Sequence, residues 1–122
     1  MKIIYVDTNK YAQIAMREQI SQIMPEAELH CFNQSETALE YAKLNGCDVL
    51  MTEIELGRER LGGIRLANAI KEVNQRLSAI FVTVCSEYEV SGELSRLHVG
   101  GFFPKPWDTQ ALAEALQNLT AQ

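Results

Sequence analysis

The stretch Asp48-Val49-Leu50-Met51-Thr52-Glu53 is a short apolar run that ends in an acid, and Ile3-Ile4-Tyr5-Val6-Asp7 follows the same plan. Three further apolar runs occur along the chain, at residues 29–32, 80–84 and 102–103. Runs of this length are typical of strands that are buried on both faces, as in a parallel sheet. The pattern therefore predicts five short strands.

Between these runs, apolar residues recur at helical spacing, which predicts helices that separate the strands. The predicted stripes are Tyr11, Ile14 and Ala15; Leu39, Ala42 and Leu44; Ile64, Ala67 and Ile70; and Leu112, Ala115, Leu116 and Leu119. Asn33 and Glu36 resemble a capping box, and Asp108 is a predicted N-cap of the last helix. Strands that alternate with helices imply right-handed crossovers, a parallel sheet and the α/β class.

Length and composition point to one domain over residues 1–122, because a chain with 47% hydrophobic residues can bury a core without disulfides or a structural metal. The net charge of -5 argues against direct nucleic-acid binding by this domain. No stretch has the length of a secretory leader or a membrane span, which predicts a cytoplasmic protein with no membrane partner. Cys31, Cys47 and Cys85 are predicted to be buried free thiols.

Polar residues stand where the predicted strands end. Asp7 and Thr8 follow the first strand, Glu53 ends the third, Thr83 ends the fourth, and Lys105 lies just past the fifth. In an open parallel sheet the functional crevice lies beyond the carboxyl ends of the strands. An acid, a hydroxyl and an amine that converge there suit a phosphoryl group or a carboxylate, so these residues form the candidate site.

Four blocks of the chain resemble the signature blocks of response-regulator receiver domains: residues 3–7, residues 48–53, residues 81–83, and Lys105-Pro106. The intervals between the blocks are also similar, and the resemblance covers essentially the whole chain. It implies a flavodoxin-like, doubly wound sheet of five parallel strands in the order 2-1-3-4-5, with five helices. Residues 81–88 resemble most closely the receivers that precede a LytTR-type DNA-binding domain.

The resemblance also implies residue roles. Asp7 would be an acid of the Mg²⁺ pocket, Thr83 the switch hydroxyl, and Lys105 the phosphate-facing amine, with a cis bond to the proline that follows it. Phe102 falls at the aromatic switch position of the family, although a permanently buried ring is an equal alternative. Glu53 stands where the family has its phosphoacceptor aspartate.

Two positions depart from the family pattern. Thr8 replaces the second acid of the pocket, which predicts that Asp7 and Glu53 bind Mg²⁺ weakly or not at all. The extra methylene of Glu53 moves its carboxylate by roughly an ångström, which predicts impaired or absent phosphotransfer. From there the carboxylate could pair with Lys105 or accept from Thr83, and so imitate the phosphorylated state in part.

The loop at residues 55–61 is longer than the usual turn of the family. It carries Arg58 and Arg60, which could attract an anion to the pocket or could simply be solvated surface side chains.

The predicted function is that of a protein-interaction module in two-component signalling, not an enzyme. Its expected partners are a histidine kinase or a downstream effector, and a homodimer could form through the surface of the fourth helix, fifth strand and fifth helix. One alternative is a conventional phospho-regulated receiver that controls transcription through a missing DNA-binding domain. Another alternative is a small flavodoxin-like enzyme or nucleotide binder. The sequence argues against it, because there is no glycine-rich turn after the first strand and no nucleophile with a partnered base.

Overall fold

The computed structural model describes residues 1–120, so the last two residues of the predicted domain lie outside the described part. Five strands form one sheet, in which every neighbouring pair is parallel. The strands are β1 (Lys2–Val6), β2 (Glu28–Phe32), β3 (Val49–Thr52), β4 (Ser78–Thr83) and β5 (His98–Pro104). Their order, β2-β1-β3-β4-β5, confirms the predicted topology.

Helices connect the strands over residues 1–120 and cover both faces of the sheet. They are α1 (Lys10–Ile23), α2 (Ser35–Asn45), α3 (Gly62–Val73), α4 (Glu87–Val90) and α5 (Thr109–Thr120). The short helix α4 continues directly into a 3-10 turn at Ser91–Leu94. The flavodoxin-like α/β class with five helices is therefore confirmed.

The core is split by the sheet into two layers, because successive residues of a strand point to opposite faces. Every residue of β3 and of β4 is buried, which explains why both strands consist mainly of apolar residues. One layer contains Ile4, Val6, Leu50, Ala79 and Phe81, packed with side chains of α2 and α3. The other contains Ile3, Tyr5, Met51, Ile80 and Val82, packed with side chains of α1 and α5.

Two of the predicted helical stripes were wrong in part. Tyr11 is 81% exposed and Ile14 is 53% exposed, whereas α1 buries Met16 and Ile20. At roughly 100° per residue, Tyr11 and Ile14 lie on the side of the helix opposite to Met16, and that side faces solvent. Leu44 is likewise 85% exposed, since it lies away from the buried face of α2.

The predicted helix caps had mixed outcomes. The Oδ1 atom of Asp108 accepts hydrogen bonds from the amides of residues 110 and 111, which confirms this N-cap. The capping box at Asn33 and Glu36 was wrong, because α2 begins after Gln34, whose side chain makes no capping bond. Sequence reasoning missed Asn9, which caps α1 by accepting from the amides of residues 11 and 12.

The three cysteines are free, as predicted, but only Cys47 is fully buried, while Cys31 and Cys85 are half-buried. Over residues 1–120, no helix combines the length and the apolar character needed to cross a membrane.

Candidate functional site

The backbone carries three of the predicted site residues to the carboxyl edge of the sheet. The amide of Asp7 donates to the carbonyl of Phe32, and the amide of Glu53 donates to the carbonyl of Val6. The amide of Lys105 donates to the carbonyl of Thr83 at 3.1 Å. Each of these bonds extends the pairing just past the last strand residue, so Asp7, Glu53 and Lys105 stand on the rim of the sheet.

The side chains of these three residues form one ionic cluster. The Lys105 Nζ atom lies 2.5 Å from Asp7 Oδ2 and 3.2 Å from Glu53 Oε1. Both carboxylates are nearly inaccessible to solvent, and the lysine side chain is 18% exposed. Burial alone would lower the pKa of Lys105, but its bonds to Asp7 and Glu53 outweigh burial, so its pKa is raised. The cluster therefore contains a stable ammonium ion between two acids.

Tyr5 is a member of the cluster that sequence reasoning missed. Its hydroxyl donates to Asp7 Oδ2 at 2.8 Å, and the residue is fully buried. Burial and the neighbouring charge of Asp7 raise the pKa of Tyr5, so the phenol stays a neutral donor. The signal in the sequence was a hydroxyl-bearing ring in an otherwise aliphatic strand, two positions before an acid and hence on the same face.

The remaining oxygen of each carboxylate is bound to the backbone. Asp7 Oδ1 accepts from the amide of Asn9 at 2.9 Å, and Glu53 Oε2 accepts from the amide of Ile54 at 2.7 Å. The carbonyl of Glu53 accepts from the Thr52 hydroxyl at 2.7 Å. Both acids are therefore held in fixed positions by several bonds.

Helix α3 starts against the backbone of Glu53. A Cβ atom on Gly63 would lie 2.0 Å from the Glu53 carbonyl oxygen, and the Gly63 amide donates to the carbonyl of Ile54 at 2.8 Å. Only a residue without a side chain permits this approach. Gly63 thus explains how the chain turns so closely behind the site.

The other predicted site residues lie near the cluster without joining it. Thr83 is buried, and its Oγ1 atom accepts from the amide of Cys85 at 3.1 Å, so this oxygen is already engaged. Phe102 is half-buried, and the centre of its ring lies 6.0 Å from that of Phe81, which places it against the core. Thr8 is exposed at the rim. The Lys105-Pro106 bond is cis, as the resemblance implied.

The long loop after Glu53 is folded rather than extended. Leu56 and Glu59 exchange backbone hydrogen bonds around Gly57, which has a positive φ of 63°. The side chain of Glu59 accepts from the hydroxyl of Ser35 at 3.0 Å, which ties the loop to α2. Arg58 and Arg60 are exposed, and neither lines the cleft that the loop forms with Thr8 and the start of α2.

A doubly wound sheet with two acids and a lysine at its carboxyl edge defines a flavodoxin-like α/β protein with a charged site in the crevice beyond the strand ends. The sequence matches the response regulator receiver domain family over residues 3–117, and the chain therefore belongs to this family. Receiver domains are signalling modules that interact with histidine kinases or effectors, and they are not typically enzymes.

Solved structures support the same fold. The chain is 20% identical to a response regulator receiver protein from Pseudoalteromonas atlantica, with a TM-score of 0.84 over 99% of this chain and 98% of that chain. It is 26% identical to the N-terminal domain of an uncharacterised protein from Wolinella succinogenes, with a TM-score of 0.85 over 99% of this chain and 94% of that one.

A third similar structure is the N-terminal domain of a response regulator/sensory box/GGDEF 3-domain protein from Carboxydothermus hydrogenoformans. The identity is 21% and the TM-score 0.83, over 98% of this chain and 93% of that chain. No curated protein matches the sequence.

Receiver domains bind Mg²⁺ weakly at their phosphorylation site. Here the donor set does not fit the ion. Within residues 1–120 no group of three or more acidic, histidine or cysteine side chains is suitably arranged for a metal. Asp7 and Glu53 are the two acids at the site, and each already binds Lys105 and a backbone amide. Mg²⁺ requires near-octahedral oxygen geometry, and the ammonium group of Lys105 already contacts an oxygen of each acid that would supply it.

Proposed function

We propose that this chain is an atypical receiver domain that signals by binding protein partners, with phosphorylation impaired or absent because Glu53 replaces the phosphoacceptor aspartate. The observation that carries the proposal is the buried ion pair between Glu53 Oε1 and Lys105 Nζ, at 3.2 Å. In this arrangement the acceptor position already holds a negative group in contact with the lysine that would otherwise face a phosphoryl group.

The chemistry of phosphoryl uptake supports this proposal. A carboxylate must attack phosphorus in line, so its oxygen has to be free and accurately placed. Glu53 is 5% exposed, with one oxygen on Lys105 and the other on the amide of Ile54. Thr8 adds no carboxylate to replace a missing metal ligand. Each of these features works against transfer to Glu53.

Glu53 imitates a phosphorylated acceptor only in part under this proposal. A carboxylate has one charge and two oxygens, whereas a phosphoryl group has nearly two charges and three terminal oxygens. The contact with Lys105 is made, while the oxygen of Thr83 binds the amide of Cys85. We therefore propose that constitutive signalling acts through Lys105, with Thr83 and Phe102 as the switch residues of the partner-binding face.

The same proposal covers the extent, location and partners of the domain. It comprises residues 1–122 and acts in the cytoplasm with a histidine kinase or an effector as partner. Residues 81–88 resemble the receivers that precede LytTR-type DNA-binding domains, which supports a role in transcription regulation. The net charge of -5 supports a domain that does not itself bind nucleic acid.

The partner or a second copy of the chain would bind the surface of α4, β5 and α5. Tyr88 is 90% exposed and Val84 is 72% exposed at the start of this surface, and large apolar side chains exposed together suggest an interface. Sedimentation equilibrium over a range of concentrations tests self-association. We expect Tyr88→Ser to weaken a dimer and Leu44→Ser, at an exposed position of α2, to leave it unchanged; a native chain that stays monomeric would exclude the homodimer.

The central test is an amide NMR titration with Mg²⁺ and beryllofluoride, together with intact-mass measurement after incubation with acetyl phosphate. We expect the native chain to show neither resonance shifts at Thr83, Phe102 and Lys105 nor a phosphoryl adduct. The matched variant Glu53→Asp, with Thr8→Asp added, should respond if the pocket is otherwise that of a receiver. Phosphoryl uptake by the native chain would refute the proposal and restore a conventional phospho-regulated receiver.

A further inference from the structure

We infer that the ammonium group of Lys105 is the resident cation of this pocket, and that Tyr5 and Lys105 together exclude Mg²⁺ from Asp7. This inference rests on the proposed function. It explains how a receiver that does not depend on phosphorylation can neutralise the charges of its two buried acids without a metal ion. It assigns to Tyr5 a positioning role that the resemblance to the family does not supply.

The first support is the position of the ammonium group. Lys105 Nζ bonds to oxygens of two acids that end neighbouring strands, Asp7 after β1 and Glu53 after β3. A divalent ion bound to the same acids would share its ligand oxygens with this ammonium. Two cations a few ångströms apart repel strongly where burial limits screening by solvent. Mg²⁺ could therefore enter only if Lys105 left both carboxylates.

The second support is the number of donors on Asp7. A carboxylate offers about four lone-pair directions. Oδ2 accepts from both the Tyr5 hydroxyl at 2.8 Å and Lys105 Nζ at 2.5 Å, and Oδ1 accepts from the amide of Asn9 at 2.9 Å. The oxygen nearest to Lys105 is thus saturated by one neutral and one charged donor. Tyr5 holds this oxygen in place even if the lysine moves.

The third support is the exposed rim. Thr8, which follows Asp7, carries no carboxylate and faces solvent. An incoming Mg²⁺ gives up its bound water reluctantly, so it usually binds where carboxylates provide enough binding energy to offset that loss. Here it would have to displace an ammonium ion and would gain no further acid.

The direct test is a Mg²⁺ titration of the native chain at constant ionic strength, followed by fluorescence and by the unfolding temperature. The chain has one tryptophan, Trp107, two residues past Lys105, and its indole donates to Gln19 on α1. Displacement of Lys105 should therefore change its emission. We expect the native chain to show no saturable change with millimolar Mg²⁺; a saturable response would overturn the inference.

Variants distinguish the contribution of Lys105 from that of Tyr5. Lys105→Met leaves Asp7 and Glu53 without a counter-charge, so added Mg²⁺ should raise its unfolding temperature, as any ligand of the folded state does. The control Lys10→Met removes an exposed lysine from the start of α1 and should stay insensitive to Mg²⁺. A folded Lys105→Met variant that ignores Mg²⁺ would contradict the inference.

The role of Tyr5 is measured in a variant that keeps Lys105. In this variant Thr8→Asp places a second acid directly after Asp7, as in the family pattern. Adding Tyr5→Phe then keeps the ring but removes the hydroxyl. We expect the double variant to bind Mg²⁺ about tenfold more tightly than Thr8→Asp alone, because one hydrogen bond to a charged group no longer competes. Equal affinities would refute the role of Tyr5. A native chain that binds Mg²⁺ but takes up no phosphoryl group would contradict only this inference, whereas phosphoryl uptake would contradict the proposed function.

Discussion

The ammonium nitrogen of Lys105 lies 2.5 Å from Oδ2 of Asp7, although β3 and β4 separate their strands in the sheet. Lys105 lies just past the end of β5, and its flexible four-carbon stem carries the ammonium group from there toward the acid that follows β1. The contact with Asp7 is shorter than the contact with Glu53, at 3.2 Å. Asp7 is therefore the main anchor of the lysine, and Glu53 is the second.

This order of contacts predicts unequal costs for removing the two charges. Glu53→Gln keeps the shape of the side chain and leaves Lys105 paired with Asp7, so we expect a loss of about 1–2 kcal/mol in the free energy of unfolding. Asp7→Asn removes the main anchor of a largely buried ammonium and should cost roughly 3 kcal/mol. Urea denaturation at neutral pH compares them, and equal losses would show that the two acids share the lysine evenly.

Tyr5→Phe removes a hydrogen bond to a charged acceptor while the ring still fills the core. We expect it to destabilise the fold by about 1.5–3 kcal/mol. The same substitution at Tyr11, which is 81% exposed, should change the stability by less than about 0.5 kcal/mol. If both variants unfold at the same urea concentration, the hydroxyl of Tyr5 contributes no net stability.

Alkaline pH should destabilise the protein through groups that keep their protons only when folded. Burial raises the pKa of Cys47 from 9.0 to about 12. The folded state thus binds this proton more tightly than the unfolded chain. The resulting stability is fully present below about pH 9 and is lost as the pH rises toward 12, at about 1.4 kcal/mol per pH unit. The raised pKa values of Tyr5 and Lys105 act in the same direction at higher pH.

The measurement is the free energy of unfolding between about pH 8 and pH 11, a window chosen to span the onset of thiol ionisation at about pH 9. Cys47→Ala should show a shallower decline than the native chain, whatever its stability at neutral pH. Parallel curves for the two proteins would mean that the Cys47 thiol does not control the slope.

Gly63→Ala should displace the backbone of Glu53, against which α3 begins. The new methyl group would lie 2.0 Å from the carbonyl oxygen of Glu53, so the start of α3 or the backbone after β3 must move. We expect a loss of about 1–3 kcal/mol, as for other overpacked positions, and shifted NMR resonances at Glu53 and Lys105. Gly92→Ala is the control, because a Cβ atom there meets nothing within 4 Å; a similar loss in both variants would contradict the clash.

The sequence by itself determined the strands, their parallel arrangement and the meeting of Asp7, Glu53 and Lys105. These follow from local pattern and from geometry, because short apolar runs that alternate with helices form a parallel sheet whose carboxyl ends share one edge. The resemblance to receivers added the order of the strands and the cis bond before Pro106, both of which the structure contains.

Only the tertiary structure decided which partners each side chain has. Tyr11 and Ile14 look like a buried stripe, yet the docking of α1 through Met16 turns them to solvent. The bond from Tyr5 to Asp7 and the preference of Lys105 for Asp7 depend on ångström-scale distances between side chains, and Lys105 is far from Asp7 along the chain. A shift of about an ångström decides whether a hydrogen bond or a buried ion pair forms, and the pattern of residues along the chain does not specify positions that accurately.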